Sequence, residues 1–98
     1  MTTASSRDEA ATIAASLVER RFAACVQVVP QIESFYRWEG KVANDVEWLL
    51  LCKTTSTRYD DVERAIRELH SYTVAEVVAL EIERGSGDYL DWLRRSVV

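Results

Sequence analysis

Residues 23–54 constrain the fold of this chain more than any other part of the sequence. Residues 24–38 are rich in β-branched and aromatic side chains, which favour a pleated, half-buried sheet surface. Residues 46–54 contain the apolar run 48–52, which is typical of a strand covered on both faces, although a buried helix gives the same run. Turn-forming pairs bracket the connection at Glu39-Gly40 and Asn44-Asp45. The pattern predicts a β-hairpin.

The first arm of this hairpin is too long for a domain of this size. Residues 24–38 would span roughly 50 Å if straight, whereas a compact chain of 98 residues has a diameter of about 33 Å. The arm must therefore bend or project beyond its own domain. Pro30 marks the bend, because proline cannot donate to a sheet ladder and is confined to edges and bulges. A projecting strand of this kind needs cover, which we expect another copy of the chain to supply.

Composition bounds the class of protein. Residues 1–98 are expected to form a single domain, and 48% hydrophobic with 29% charged residues is typical of globular proteins. A net charge of −4 and a pI of about 5.0 argue against nucleic-acid binding. The sequence has no apolar run near the length of about 18 residues that a membrane span needs. The first residues lack the pattern of a signal peptide, so we expect a cytoplasmic protein.

The remaining segments alternate between helix and strand patterns. Ser6 and Glu9 form a capping-box pattern ahead of a helix predicted over residues 7–21. A second helix is predicted from the Thr55-Ser56-Thr57 cap to about His70, followed by a strand over residues 74–83. Residues 88–95 are predicted to form a short closing helix after a glycine-rich turn.

The order of these elements predicts an α+β fold. With one strand placed before the first helix, the chain becomes a ferredoxin-like βαββαβ sandwich with a long hairpin and a C-terminal helix. Residues 1–4 leave room only for a truncated first strand. We expect residues 1–3 to be extended and paired within the sheet, because unpaired buried backbone groups are costly.

The two cysteines, Cys25 and Cys52, fall on opposite arms of the hairpin. A turn near Val42 would place Cys52 opposite Ile32, which makes a disulfide within the chain unfavourable. Buried thiols acting as small apolar side chains are the commoner case. A metal-ligand role is the alternative, and thiol and imidazole donors would favour copper or zinc over calcium.

No catalytic or nucleotide-binding motif is present, so enzyme activity is the least favoured class. Glu47 and Lys53 share one face of the second arm, where each could also be a solvated charge at a strand end. His70, the only histidine, could cap the second helix or serve as a metal ligand or site donor. Trp38, Trp48 and Trp92 are more typical of core or interface than of ligand stacking.

Five segments together resemble one known family across nearly the whole chain. They are AACVQVVP at 23–30, SFYRWEG at 34–40, EWLLLCKT at 47–54, HSYTVAE at 70–76 and DYLDWL at 88–93, and they resemble the CutA divalent-cation tolerance proteins. The resemblance implies a ferredoxin-like fold, a homotrimer, a cytoplasmic bacterial setting and an association with tolerance of divalent metals, chiefly copper. The architecture is also similar to PII-type signalling trimers, which bind small molecules between subunits.

The resemblance also implies a polar cleft. Carried over to this sequence, its ligand-binding residues would be Trp38, Glu47, Lys53, Tyr72 and Glu76, and the metal ligands would be His70 and Cys25. The chain departs from the family pattern at three internal positions. Ser71 and Ala75 replace two prolines, and Gln27 replaces an asparagine. The first two changes remove fixed φ angles beside the cleft.

These observations favour a trimer that binds copper, another divalent cation or a small ligand at a subunit boundary. A PII-like small-molecule sensor and a purely structural scaffold are the alternatives. In the trimer, residues 74–83 are expected to supply the acceptor edge for the hairpin of another copy, with Trp38 as an interface anchor.

Overall fold

The computed structural model describes residues 1–98 and shows an α+β fold. In chain order the elements are β1 (Thr2–Ala4), α1 (Arg7–Glu19), β2 (Cys25–Trp38), β3 (Lys41–Lys53), a 3₁₀ turn (Ser56–Arg58), α2 (Tyr59–Leu69) and α3 (Gly87–Ser96). The strands form one antiparallel sheet in the order β1-β3-β2. The predicted fold class is confirmed. No helix is both long enough and apolar enough to cross a membrane.

The hairpin reverses in two residues, Glu39 and Gly40, whose φ angles are 50° and 77°. Two positive φ angles match the twist of the flanking strands, so no longer connection is needed. The prediction that the connection extends to Asn44 and Asp45 is therefore wrong. Both residues lie within β3, where Asn44 pairs with Phe35.

The predicted bend at Pro30 is confirmed as a β-bulge. Val29 pairs with Leu49 and Ile32 pairs with Glu47, so β2 carries one extra residue between these pairs. Gln31 lies within the bulge and has a positive φ of 55°. Beyond the bulge the hairpin projects from the domain, and the longest dimension of the molecule is 45 Å.

One side of the sheet packs on α1 and α2. The largest buried side chains are Ile13 and Leu17 from α1, Leu50 from β3 and Ile66 from α2. The predicted cap of α1 is confirmed, because the Ser6 hydroxyl accepts a hydrogen bond from the Glu9 N–H at 3.1 Å. Helix α1 ends at Glu19, before the predicted residue 21, where Arg21 adopts a φ of 61°.

The first strand is short but paired, as predicted. Residues of β1 face Leu50, Leu49 and Trp48 of β3. On its other side, the Met1 ammonium donates to the Val78 carbonyl at 2.7 Å, and the Val78 N–H donates to the Met1 carbonyl at 3.1 Å. The chain after α2 thus returns beside β1.

Residues 74–83 do not form the predicted strand. Within this segment only Val78 makes backbone hydrogen bonds, and these reach Met1. A strand needs a partner ladder, and three-residue β1 provides a neighbour at a single position. Four apolar side chains of the segment, those of Val74, Val78, Leu80 and Ile82, are exposed. The backbone of the segment is therefore largely unpaired.

Candidate functional site

Two of the residues predicted to bind a ligand meet in the structure. Glu47 lies on β3 opposite Ile32, beside the bulge, and is only 7% exposed. Tyr72 lies in the segment that follows α2, and its hydroxyl donates to Glu47 Oε2 at 2.7 Å. The pair ties the segment after α2 to the base of the hairpin.

His70 is the third predicted site residue at this point, and its side chain is fully buried. Its Nδ1 accepts the backbone N–H of Tyr72 at 3.0 Å, and its Nε2 lies 2.5 Å from the Thr3 carbonyl oxygen. Because Nδ1 accepts, the neutral ring carries its proton on Nε2, which donates to Thr3. The His70 and Tyr72 ring centroids are 4.6 Å apart.

Glu9 is a member of this cluster that the sequence did not indicate. Its Oε1 lies 3.4 Å from His70 Nδ1 but is buried without a hydrogen-bond partner, since the Tyr72 N–H already uses that nitrogen. In the sequence Glu9 has only the pattern of a capping residue. No local pattern indicates that its side chain lies beside His70.

The charges around Tyr72 are negative. Burial raises the pKa of the Tyr72 phenol, and the hydrogen bond to Glu47 and the charges of Glu47, Asp45 and Glu9 raise that pKa further. The phenol is therefore a hydrogen-bond donor at neutral pH. An acidic surrounding of this kind favours a cationic group over an anionic one.

A second tyrosine–carboxylate pair lies further along the hairpin. Asp45 is two residues from Glu47 on β3, and therefore on the same face. The Tyr36 hydroxyl donates to the Asp45 carboxylate, and this hydrogen bond raises the pKa of Tyr36. Unlike Tyr72, Tyr36 is 41% exposed.

The other predicted ligand-binding residues lie elsewhere in the chain. Trp38 is at the tip of the hairpin opposite Lys41, whereas Lys53 is at the far end of β3. About 40 Å of strand separates these two positions. The Lys53 Nζ donates to Gln27 Oε1 at 2.9 Å and has no carboxylate partner. Glu76 is exposed and makes no hydrogen bond or ion pair. A single chain does not assemble the full cleft.

The predicted position of Cys52 opposite Ile32 is wrong. Cys52 pairs with Val26, because the chain reverses at residues 39–40 rather than near Val42 and the bulge at Pro30 shifts the register by one further residue. Cys25 pairs with Lys53, so the two cysteines project from opposite faces of the hairpin, and both thiols are free. Burial raises the pKa of the Cys52 thiol, which packs against the core.

No group of three or more His, Cys, Asp or Glu side chains is arranged to hold a metal ion within the chain. His70 has no free ring nitrogen, since Nδ1 accepts from Tyr72 and Nε2 donates to Thr3. The geometry therefore does not fit His70 as a ligand unless one of these bonds is broken. Cys25 has no such competing bond.

Comparisons with known proteins agree with the resemblance. A family model described as CutA1 divalent ion tolerance protein matches residues 1–96. The divalent-cation tolerance protein CutA of Thermus thermophilus is 50% identical over 94 residues, which cover 96% of this chain and 91% of the relative. Human Protein CutA is 46% identical over 83 residues, covering 85% of this chain but 46% of the human protein.

Solved structures match over almost the full chain. The Thermus thermophilus protein superimposes with a TM-score of 0.97 at 48% identity, covering 99% of this chain and 94% of that one. The CutA of Archaeoglobus fulgidus, described as periplasmic, gives a TM-score of 0.96 at 40% identity with the same coverage. From its sequence and its fold, this chain belongs to the CutA1 divalent ion tolerance family.

Proposed function

We propose that this chain acts in tolerance of divalent cations as a homotrimer, and that it binds copper or another divalent cation where two copies meet. The single observation that carries this proposal is the incompleteness of the cleft in one chain. Trp38, Lys53 and the Tyr72–Glu47 pair lie at separate points along the hairpin. No metal-ligand group forms within the chain.

The exposed surface supports assembly. Only 14 of 98 residues are buried, and the distal hairpin exposes Phe35 and Val42 by 68% and 71%. Monomers rarely expose contiguous apolar patches of this kind. The outer edge of β2 and the unpaired backbone of residues 79–83 could complete each other between copies. Such a head-to-tail contact closes into a ring when the rotation between copies fits, and the family resemblance favours three copies.

In the proposed trimer, Trp38 of one copy anchors the interface and reaches the cleft of the next copy. Trp38 is 53% exposed at the hairpin tip, and buried aromatic anchors often dominate interface energy. The small-molecule or metal site would then lie at the boundary between two copies, next to Trp38.

For copper, Cys25 is the better of the two predicted ligands. A thiol is a soft donor, and Cys25 has no hydrogen bond to give up, whereas His70 has two. Cys52 is a matched control, because burial raises the pKa of its thiol and so disfavours the thiolate that metals bind.

The test is copper(I) affinity, measured without oxygen by competition with a chelator. We expect Cys25→Ser to lower the affinity about tenfold or more, equivalent to about 1.4 kcal/mol. Cys52→Ser should leave it unchanged. Unaltered affinity in both Cys25→Ser and His70→Ala would contradict the predicted ligand set, and absence of stoichiometric copper(I) binding would contradict a copper(I) site at Cys25.

A PII-like sensor is the second candidate, and the ammonium of Lys53 favours it. This group has no carboxylate partner and is free to bind an anion. Thermal shift with ATP as the probe tests the idea, with Lys53→Gln compared against Lys41→Gln, the only other lysine. A saturable shift that depends on Lys53 alone would support the sensor. A purely structural scaffold would show neither ATP nor copper binding.

We further propose a cytoplasmic protein without catalytic activity. The family is described by ion tolerance rather than by a reaction. Compartments differ among relatives, since the Arabidopsis thaliana protein is described as chloroplastic and the Archaeoglobus fulgidus protein as periplasmic. Fractionation of cells that express the chain would test the compartment.

A further inference from the structure

The imidazole of His70 hydrogen-bonds to two separate parts of the fold and lies beside a third. Its Nε2 bonds to Thr3 in β1, its Nδ1 accepts the N–H of Tyr72, and Glu9 of α1 lies 3.4 Å from the same nitrogen. The side chain is fully buried. No other side chain contacts β1, α1 and the segment after α2 through polar atoms.

A metal ion would compete with both of these hydrogen bonds. Coordination needs the in-plane lone pair of a ring nitrogen. At Nδ1 that lone pair already receives the Tyr72 N–H, and displacing it would leave this backbone donor without its partner. At Nε2 the nitrogen carries the proton donated to Thr3, so binding there would remove that bond as well.

We infer that His70 is a positioning residue that holds Tyr72 against Glu47, and not a metal ligand. The inference rests on the proposed function, because the Tyr72–Glu47 pair belongs to the proposed cleft. Tyr72 begins a segment whose backbone makes no hydrogen bond from residue 73 to residue 77. The His70 ring therefore fixes the Tyr72 backbone at the start of this segment, and the phenol then reaches the buried carboxylate at 2.7 Å.

The first test uses the fact that His70 is the only histidine, which makes its ring nitrogen signals unambiguous. In ¹⁵N NMR of the wild-type protein we expect the neutral Nε2–H tautomer. Saturation with Zn²⁺, and separately with copper(I), should leave both ring nitrogen signals in place. A metal-induced shift of either nitrogen would overturn the inference, as would the Nδ1–H tautomer.

The second test follows the Tyr72 hydroxyl proton, assigned by its loss in Tyr72→Phe. His70→Ala should accelerate exchange of this proton about tenfold or more, because the backbone anchor of Tyr72 is lost. His70→Asn places an amide oxygen close to the position of Nδ1 and should restore slow exchange, although asparagine has no ring nitrogen for a metal. Unchanged exchange in His70→Ala, or fast exchange in His70→Asn, would contradict the inference.

These outcomes are separable from those of the proposed function. If the protein binds no copper at all, the copper assignment fails, while the tautomer and the hydroxyl exchange still decide the role of His70. If His70→Ala does not fold, the wild-type tautomer and the His70→Asn variant decide it.

Discussion

The Tyr72 hydroxyl donates a 2.7 Å hydrogen bond to Glu47 Oε2, and this bond joins the base of the hairpin to the chain that follows α2. No basic side chain forms an ion pair with Glu47, although the residue is 7% exposed. The phenol is therefore the main compensation for a buried carboxylate. The pair therefore affects the stability of the fold, the position of residues 73–83 and the geometry of the proposed cleft.

Removing this donor should destabilise the protein. Tyr72→Phe leaves a buried carboxylate without its hydrogen bond, at a cost of about 1–3 kcal/mol. Tyr36→Phe removes the analogous bond to Asp45 at an exposed site and should cost less than Tyr72→Phe does. Urea unfolding at one fixed protein concentration measures both variants. Equal losses in the two variants would contradict the role assigned to Tyr72.

Stability should fall at alkaline pH partly through Tyr72. The pKa of its phenol is raised above the ordinary value of 10.0 in the folded state, so the folded protein retains a proton that the unfolded chain releases. The contribution is fully present below about pH 10 and decreases as the pH rises through the folded pKa. Melting temperatures between about pH 10 and 12 should therefore fall less steeply in Tyr72→Phe than in the wild type. Identical slopes would count against this linkage.

A proline at residue 71 should stabilise the chain. His70 has φ −83° and ψ 141°, the extended conformation that a residue before proline prefers, and the Ser71 N–H makes no hydrogen bond. Ser71→Pro should add about 0.4–1 kcal/mol by restricting the unfolded chain. Ser71→Ala is the control, since it removes the hydroxyl without adding the ring. A destabilised proline variant would show that residue 71 cannot adopt the required φ.

Two threonines should respond to valine in opposite directions. The Thr2 hydroxyl is fully buried without a partner, so Thr2→Val should be neutral or stabilising by up to about 1 kcal/mol. The Thr54 hydroxyl donates to the Phe22 carbonyl at 2.6 Å, so Thr54→Val should cost about 1 kcal/mol or more. Chemical unfolding of both variants checks this contrast, and a loss in Thr2→Val would indicate a buried water at its hydroxyl.

Local sequence patterns predicted the parts of the fold that depend on local chemistry. Ser6 caps α1 because a hydroxyl can satisfy a free N–H within one turn, and Pro30 marks the bulge because it lacks an N–H. The strand at residues 74–83 was a wrong prediction. Its alternation of side chains is suitable for a strand, but strand formation depends on a neighbouring ladder that a single copy does not provide.

The residues that meet beside the hairpin could be named from the sequence, but their arrangement could not. Glu47, His70 and Tyr72 were singled out, yet the Tyr72 bond to Glu47 and the Thr3 bond to His70 arise from tertiary contacts across 25 and 67 residues of sequence. The place of Glu9 beside His70 has the same origin. Trp38 and Lys53 lie apart because the hairpin is nearly as long as the molecule.

The proposed assembly is tested most directly by the mass of the protein in solution at micromolar concentration, measured by light scattering. We expect about three times the chain mass of 11.2 kDa. Trp38→Asp should reduce this mass, because a charge at the hairpin tip opposes burial of the anchor, whereas Val18→Asp on α1 should leave it unchanged. A monomeric wild-type protein, or a trimer that Trp38→Asp does not weaken, would contradict the proposal that copies of this chain complete each other through the hairpin.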